Sequence, residues 1–302
     1  MKTLEAGKRI VLKNILFATD FSAYSNAALP YASAIARQYG ARLYGAHIVP
    51  SEDYLVTAPD LWPAHIQEEK QLQQEITARL DEQLRGVPHE TLFGTGDVWK
   101  TLSRMLGEYD IDLLVVGTHG RTAVRKLLMG SVAEKIFRQA TCPVLIVGPN
   151  VPGMKIGQSQ FQRILFATDF SKESLAALPY AFSLAEEDQS QLALLHVVGQ
   201  PSETIPDLEE VTASLVRRLK ELAPTEAQPW CHMEFLVEFG HLRQFATPAE
   251  RILEVARDRA ADLIVLGVRP THRAVTAVTH LAHTTAQYMV AHAPCPVLTI
   301  RG

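Results

Sequence analysis

The chain has 302 residues, of which 47% are hydrophobic and 21% charged, a balance typical of globular proteins and long enough for two domains of about 150 residues. A net charge of −4 leaves no broad basic surface, which argues against a nucleic-acid partner. The apolar runs are far shorter than the ~20 residues that span a bilayer, the N-terminus has no signal-peptide pattern, and three cysteines do not make a disulfide framework. We therefore expect a cytoplasmic protein with no membrane partner.

Short apolar runs alternate with helical patterns along the first half. The runs lie at 14–19, 42–49, 112–117 and 143–148, with a further strand expected near 89–94. The helical patterns lie at 23–39, 64–85, 97–108 and 131–139. Continuous apolar runs are typical of strands buried on both faces. The alternation predicts a doubly wound α/β domain with a parallel sheet of about five strands.

The same motifs return in the second half. The octapeptide ILFATDFS occurs at 15–22 and again at 164–171, and four shorter matches occur in the same order. The chain is therefore two copies of one domain, which we place at 1–148 and 161–302, with a linker at 149–160. A further strand is expected near 233–240 in the second copy.

Three pairs of matched residues carry local predictions. Pro30 and Pro179 fall inside the first helical pattern, so that helix should be kinked or start late. His47 and its match in the second copy, His196, lie within strands, and we expect them to be buried and hydrogen-bonded rather than catalytic. Asp20 and Asp169 follow the first strand of each copy. A carboxylate there could bind a ribose, hold a magnesium ion or cap the next helix. We favour the ligand role for Asp20 and the capping role for Asp169.

The stretch GTHGRTAVRKLLMGS, 117–131, leaves a strand and ends where a helix begins. Ser131 and Glu134 have the spacing of a capping box, with Ser131 as N-cap. Free N–H groups at a helix start favour anions, Gly130 would let a phosphate approach the backbone, and Arg121 adds positive charge. Ordinary turn chemistry would also explain two glycines and a capped helix. The spacing matches neither the Walker loop nor the G-x-G-x-x-G fingerprint.

The spacing does resemble the signature of the universal stress protein family, which is Gly, two residues, Gly, nine residues, Gly, then Ser or Thr. Gly117, Gly120, Gly130 and Ser131 match it without a gap. ILFATDFS and CPVLIV are similar to the family's first and last strands, so the resemblance covers both halves. It implies two tandem domains of the adenine nucleotide alpha-hydrolase-like (Rossmann-like) fold, with ATP between the ends of the first and fourth strands.

The resemblance also implies which residues hold the nucleotide. Asp20 and the backbone of Ile48 would face the nucleoside, and the three glycines with Ser131 would face the phosphates. Ala18 and Thr19 would line the end of the first strand. With Arg121 and Val132, the predicted nucleotide-binding set is Ala18, Thr19, Asp20, Ile48, Gly117, Gly120, Arg121, Gly130, Ser131 and Val132.

The second copy departs from this pattern. Pro270 stands where Gly120 stood, and His283 stands where Gly130 stood. Pro270 has no N–H to donate, and His283 would bring a side chain to the phosphate. We therefore expect the second site to be absent or altered. The histidines of this loop, His272, His280 and His283, could bind a metal. No two of them are predicted to lie one turn apart (i, i+4) on a helix, and we expect no metal site.

These observations favour a tandem protein that binds ATP in its N-terminal domain and acts as a regulatory, stress-responsive module. A slow ATPase using the same site is the alternative, although no general base or arginine finger is assigned. A scaffold without nucleotide is a third class. By resemblance the last strands, 143–147 and 296–300, pair the two copies as a pseudo-dimer, and two chains could then form a homodimer.

Overall fold

The structure is a computed structural model that describes residues 9–50, 62–118, 130–153, 161–199, 207–224, 231–240, 247–269 and 285–302. Within those ranges each half contains five strands that alternate with helices. The strands of the first half are Asn14–Ala18 (β1), Arg42–Pro50 (β2), His89–Gly96 (β3), Leu113–Gly117 (β4) and Val144–Val147 (β5). Its helices are Ala23–Asn26 (α1), Leu29–Tyr39 (α2), Trp62–Gln83 (α3), Val98–Glu108 (α4) and Ser131–Gln139 (α5).

The second half repeats this order of elements. Its strands are Arg163–Ala167 (β6), Gln191–Val198 (β7), His232–Phe239 (β8), Leu263–Val268 (β9) and Val297–Arg301 (β10). Its helices are Lys172–Leu175 (α6), Leu178–Asp188 (α7), Leu208–Glu221 (α8), Pro248–Asp258 (α9) and Thr285–His292 (α10). The strands predicted near 89–94 and 233–240 are confirmed as β3 and β8.

The two parallel sheets are joined into one sheet of ten strands, in the order β3-β2-β1-β4-β5-β10-β9-β6-β7-β8. Strands within each half pair in parallel, as the alternating pattern predicted. The join is the antiparallel pair β5–β10, in which Leu145 lies opposite Leu298. The last strands of the two copies therefore pair as expected, and one hydrogen-bonded sheet runs through both halves.

Helices cover both faces of the sheet, which explains why the strands are apolar on both sides. Ile15 and Phe17 of β1 pack into a core beneath α2 and α7. Residues at or just after the C-terminal ends of α3 and α8 belong to the same core. Leu16, between them, packs into a second core formed with α4, α5, α9 and α10. Successive side chains of a strand point to opposite faces, so a doubly covered strand must be apolar throughout.

The first helical pattern of each copy is split in two, which confirms the prediction of a late start. α1 ends at Asn26, and α2 begins at Leu29 with Pro30 in its first turn, where the missing N–H costs nothing. Pro179 occupies the same place in α7.

Contacts beyond the strand pair also join the halves. The Gln38 amide donates to the carboxylate of Asp188 at 2.6 Å, and the Ile10 N–H donates to Ser183 Oγ at 3.1 Å. The Arg301 guanidinium donates to the Phe137 carbonyl at 3.0 Å. Among the described residues, the structure has no helix long and apolar enough to cross a membrane.

Candidate nucleotide site

A cavity of about 790 Å³ opens at the carboxyl ends of β1 and β4. These strands are neighbours, although the chain visits β2 and β3 between them, so the strand order reverses at this point. In open parallel sheets, ligands bind in the crevice formed at such a reversal. The volume lies within the range of about 300–1,000 Å³ that is usual for small-molecule pockets.

The cavity brings together most of the predicted nucleotide-binding set. The predicted residues that line it are Ala18, Thr19, Asp20, Ile48, Gly117, Gly130, Ser131 and Val132. Gly120 and Arg121 belong to 119–129, which lies outside the described residues. Residues more than 100 positions apart in the chain therefore meet around one space, as the doubly wound topology requires.

A tight turn after β1 places the carboxylate of Asp20 at the wall of this cavity. The Ser22 N–H donates to Asp20 Oδ1 at 3.0 Å, and the Phe21 N–H donates to Thr19 Oγ1 at 2.9 Å. Thr19 Oγ1 also lies 2.9 Å from the hydroxyl of Ser25 in α1, and both of these residues are buried. The turn is thus held by its own backbone and by the first turn of α1.

The corresponding turn in the second half has the same hydrogen bonds, and an arginine contacts its carboxylate. Asp169 Oδ1 accepts from the Ser171 N–H at 2.9 Å, and Asp169 Oδ2 accepts from Arg269 at 3.1 Å. Burial raises the pKa of Asp169, but the hydrogen bonds from Ser171 and the charge of Arg269 outweigh it, and the net pKa is lowered. Ser171, not Asp169, is the N-cap of α6. The prediction of a capping role for Asp169 is therefore wrong, because the carboxylate closes the turn before the cap.

The glycine at the end of β4 is explained by packing within the protein. A Cβ at Gly117 would lie 2.7 Å from the carbonyl oxygen of Tyr24 in α1. A Cβ at Gly267, its match in β9, would lie 2.1 Å from the carbonyl oxygen of Glu173 in α6. Only glycine allows these close approaches, which accounts for its presence in both copies without any ligand.

α5 spans the predicted range, Ser131–Gln139, but its N-cap lies one residue before the predicted one. Gly130 is the N-cap, with extended φ and ψ of −61° and 152°, and its carbonyl accepts the Glu134 N–H at 2.9 Å. Ser131 is the first helical residue, so its assignment as N-cap is wrong. The Gly130 N–H is already bonded to the Thr118 carbonyl at 2.9 Å, which ties the start of α5 to the residue after β4. The first-turn residues Ser131, Val132 and Ala133 line the cavity, and N–H groups at this position of a helix have no intrahelical acceptor.

One wall of the cavity was missed by the sequence analysis. It is formed by α3, whose lining residues are Leu72, Glu75, Ile76 and Arg79. The four-residue spacing of its apolar positions predicts an amphipathic helix but not what the helix faces. His47 also lines the cavity, and it is buried, with its Nδ1 donating to the Thr19 carbonyl at 2.7 Å, as predicted.

Among the residues that the structure describes, no group of three or more His, Cys, Asp or Glu side chains is arranged to hold a metal ion. The loop histidines, His272, His280 and His283, lie outside the described ranges.

The amino-acid sequence matches the model of the universal stress protein family twice, over 12–148 and 160–301. A universal stress protein of Thermus aquaticus is 34% identical over 142 residues, which are 45% of this chain and 99% of the relative. One of Methanocaldococcus jannaschii is 30% identical over 138 residues, covering 45% of this chain and 81% of the relative. Each relative thus corresponds to about half of the chain.

Solved structures share the fold along nearly the whole chain. A universal stress protein from Archaeoglobus fulgidus superposes with a TM-score of 0.69 at 22% identity, covering 95% of this chain and 98% of that one. A putative universal stress protein from Pseudomonas aeruginosa superposes with a TM-score of 0.58 at 17% identity, covering 96% and 93%.

Proposed function

The chain belongs to the universal stress protein family, with one family domain in each half, and from this premise we propose that it is a regulatory nucleotide-binding protein that holds ATP in its N-terminal half. The observation that carries the proposal is the cavity between β1 and β4, which is lined both by Asp20 and by the first turn of α5. These two features suit the opposite ends of a nucleotide.

The residues present fit such a ligand. The first turn of α5 offers N–H donors and the positive end of the helix dipole, which together favour phosphate. The carboxylate of Asp20 can accept hydrogen bonds from ribose hydroxyls. The apolar side chains of Ile48 and Ile76 line the same cavity and suit a flat, weakly polar base.

The second half departs from the predicted signature at two loop positions. Asp169, which matches Asp20, forms an exposed ion pair with Arg269. The replacements of Gly120 and Gly130 by Pro270 and His283 fall outside the described residues, but the sequence places them where phosphates would approach. We propose that nucleotide is held mainly by the first half.

Calorimetric titration of the full chain with ATP tests this proposal, with Asp20→Ala and Asp169→Ala as a matched pair. We expect one ATP per chain, an affinity weakened by about tenfold or more in Asp20→Ala, and no change in Asp169→Ala, because a hydrogen bond to a charged group contributes about 1.5–3 kcal/mol. Two equivalent sites, or equal losses in the two variants, would contradict the assignment to the first half.

The same samples separate binding from hydrolysis. Nucleotide recovered intact from the purified and denatured protein supports a binding module. Steady release of ADP that is lost in Asp20→Ala but kept in Asp169→Ala would instead make the protein a slow ATPase. Failure of ATP to raise the melting temperature would support a scaffold without nucleotide.

Four further parts of the proposal remain predictions. They are the domain limits at 148 and 161, a magnesium ion bound with the nucleotide, a homodimer of two chains, and a cytoplasmic setting. Titration with and without Mg²⁺ tests the second, and light scattering of the purified chain tests the third.

A further inference from the structure

Three side chains beside the cavity are stacked on one another. The guanidinium of Arg79, on α3, lies 4.1 Å from the centroid of the Phe21 ring. The Phe21 ring in turn stacks on His47, with centroids 4.6 Å apart and planes inclined by 29°. His47 donates to the Thr19 carbonyl. The stack therefore contacts the residues on both sides of Asp20, through the Thr19 carbonyl and the Phe21 ring.

The second half builds a similar cluster, in which the two rings are tilted by 43°. Arg218 lies 4.1 Å from the centroid of the Phe170 ring, and that ring lies 4.7 Å from His196. His196 Nδ1 donates to the Thr168 carbonyl at 2.8 Å.

The two arginines do not share the sequence offset that relates the two phenylalanines. Arg79 and Arg218 are 139 positions apart, whereas Phe21 and Phe170 are 149 apart. They lie on helices of different length, since α3 has 22 residues and α8 has 14. Each helix nevertheless places a guanidinium at the same distance over the ring.

The ring that is covered belongs to a strained residue. Phe21 and Phe170 have φ of 61° and 60°, in the left-handed region that bulky side chains avoid. Such conformations persist only where the surroundings hold them. A ring clamped between a guanidinium and an imidazole is held in this way, through cation–π and ring-stacking contacts.

We propose that Phe21 and Arg79 are positioning residues, which hold the turn so that the Asp20 carboxylate faces the nucleoside. This inference rests on the proposed nucleotide site in the first half. The stack also occurs around Asp169, which is ion-paired to Arg269. It therefore serves the turn in both halves, and the first half uses that turn for binding.

Titrations with ATP and with adenosine test the proposal in Phe21→Leu, Arg79→Ala and the double variant Asp20→Ala/Phe21→Leu. Phe170→Leu is the matched control in the second half. We expect Phe21→Leu to weaken both ligands by the same factor, about tenfold, because the lost contact is that of Asp20 with the nucleoside. The double variant should bind ATP no more weakly than Asp20→Ala alone, since residues that act as a unit are not additive. Phe21→Tyr keeps the stack and should retain the affinity, and Phe170→Leu should not change it.

Other outcomes overturn the proposal in distinct ways. Additive losses in the double variant would show that Phe21 contacts the ligand itself. A loss for ATP but not adenosine in Arg79→Ala would make Arg79 a phosphate contact. Unchanged affinity in both Phe21→Leu and Arg79→Ala would leave the stack a purely structural feature. Arg79 is exposed on α3, so its variant should fold even if Phe21→Leu does not. If the wild-type chain binds neither ligand, the proposed function itself fails, whereas binding that is insensitive to the stack refutes the positioning role alone.

Discussion

Replacing Asp188 by asparagine should remove a pH-dependent part of the protein's stability. Asp188 ends α7, where it is only 4% exposed. Its Oδ1 accepts from the Gln38 amide of the first half at 2.6 Å, and its Oδ2 accepts from the Phe161 N–H at 3.1 Å. Burial raises its pKa from 3.8 to about 6, although the two hydrogen bonds act in the opposite direction.

The sign follows from where the proton binds. Between pH 4 and pH 6 the folded chain holds a proton on Asp188 that the unfolded chain has released, so the free energy of unfolding falls as the pH rises. The contribution is fully present below the unfolded pKa of 3.8 and is lost once the pH passes about 6. A shift of two units corresponds to about 3 kcal/mol.

Urea denaturation of the wild type and of Asp188→Asn, from pH 4 to pH 8, measures this effect. The difference between their free energies of unfolding should change by about 3 kcal/mol across the window, with the wild type losing stability relative to the variant as the pH rises. Taking the difference cancels the other titrating groups. A flat difference, or a wild type that gains stability relative to Asp188→Asn, would refute the idea that burial controls this carboxyl group.

Three further predictions concern the glycines, the join and the second turn. Gly117→Ala and Gly267→Ala should each lower the free energy of unfolding by about 1–3 kcal/mol, because the added methyl group overpacks the site, and the melting temperature without nucleotide should fall accordingly. An unchanged melting temperature in Gly117→Ala would mean that this glycine serves a ligand alone. Leu298→Ala in β10 should cost about 2–5 kcal/mol in urea denaturation, since the side chain is only 4% exposed at the join of the two sheets, and a loss below 1 kcal/mol would mean that the halves are stable without it. Arg269→Ala should change stability by less than about 1 kcal/mol, because its ion pair with Asp169 is exposed, and a larger loss in thermal unfolding would contradict this.

Much of the fold could be predicted because its signals are local or repeated. Continuous apolar runs indicated buried parallel strands, Pro30 indicated the break between α1 and α2, and the two copies of ILFATDFS indicated two domains. The candidate site followed from the family resemblance carried by Gly117, Gly120, Gly130 and Ser131, and eight of its ten residues line one cavity. The range of α5 was right, but its N-cap is Gly130 and not Ser131. Gly130 is held there by its hydrogen bond to the Thr118 carbonyl, a contact between two segments that the sequence pattern does not show.

The amino-acid sequence by itself determined the repeat, the class of fold and the elements whose ends meet at the cavity. Only the tertiary structure decided that α3 forms a wall of that cavity, that the Arg79 guanidinium lies over the Phe21 ring, and that Arg269 forms an ion pair with Asp169. The reason is physical: periodicity and turn chemistry are properties of neighbouring residues, whereas these contacts depend on where a helix or loop is packed against a distant strand. Arg79 and Arg218 illustrate this most clearly, since each covers a matched phenylalanine although they are not separated by the 149 positions that relate the two rings.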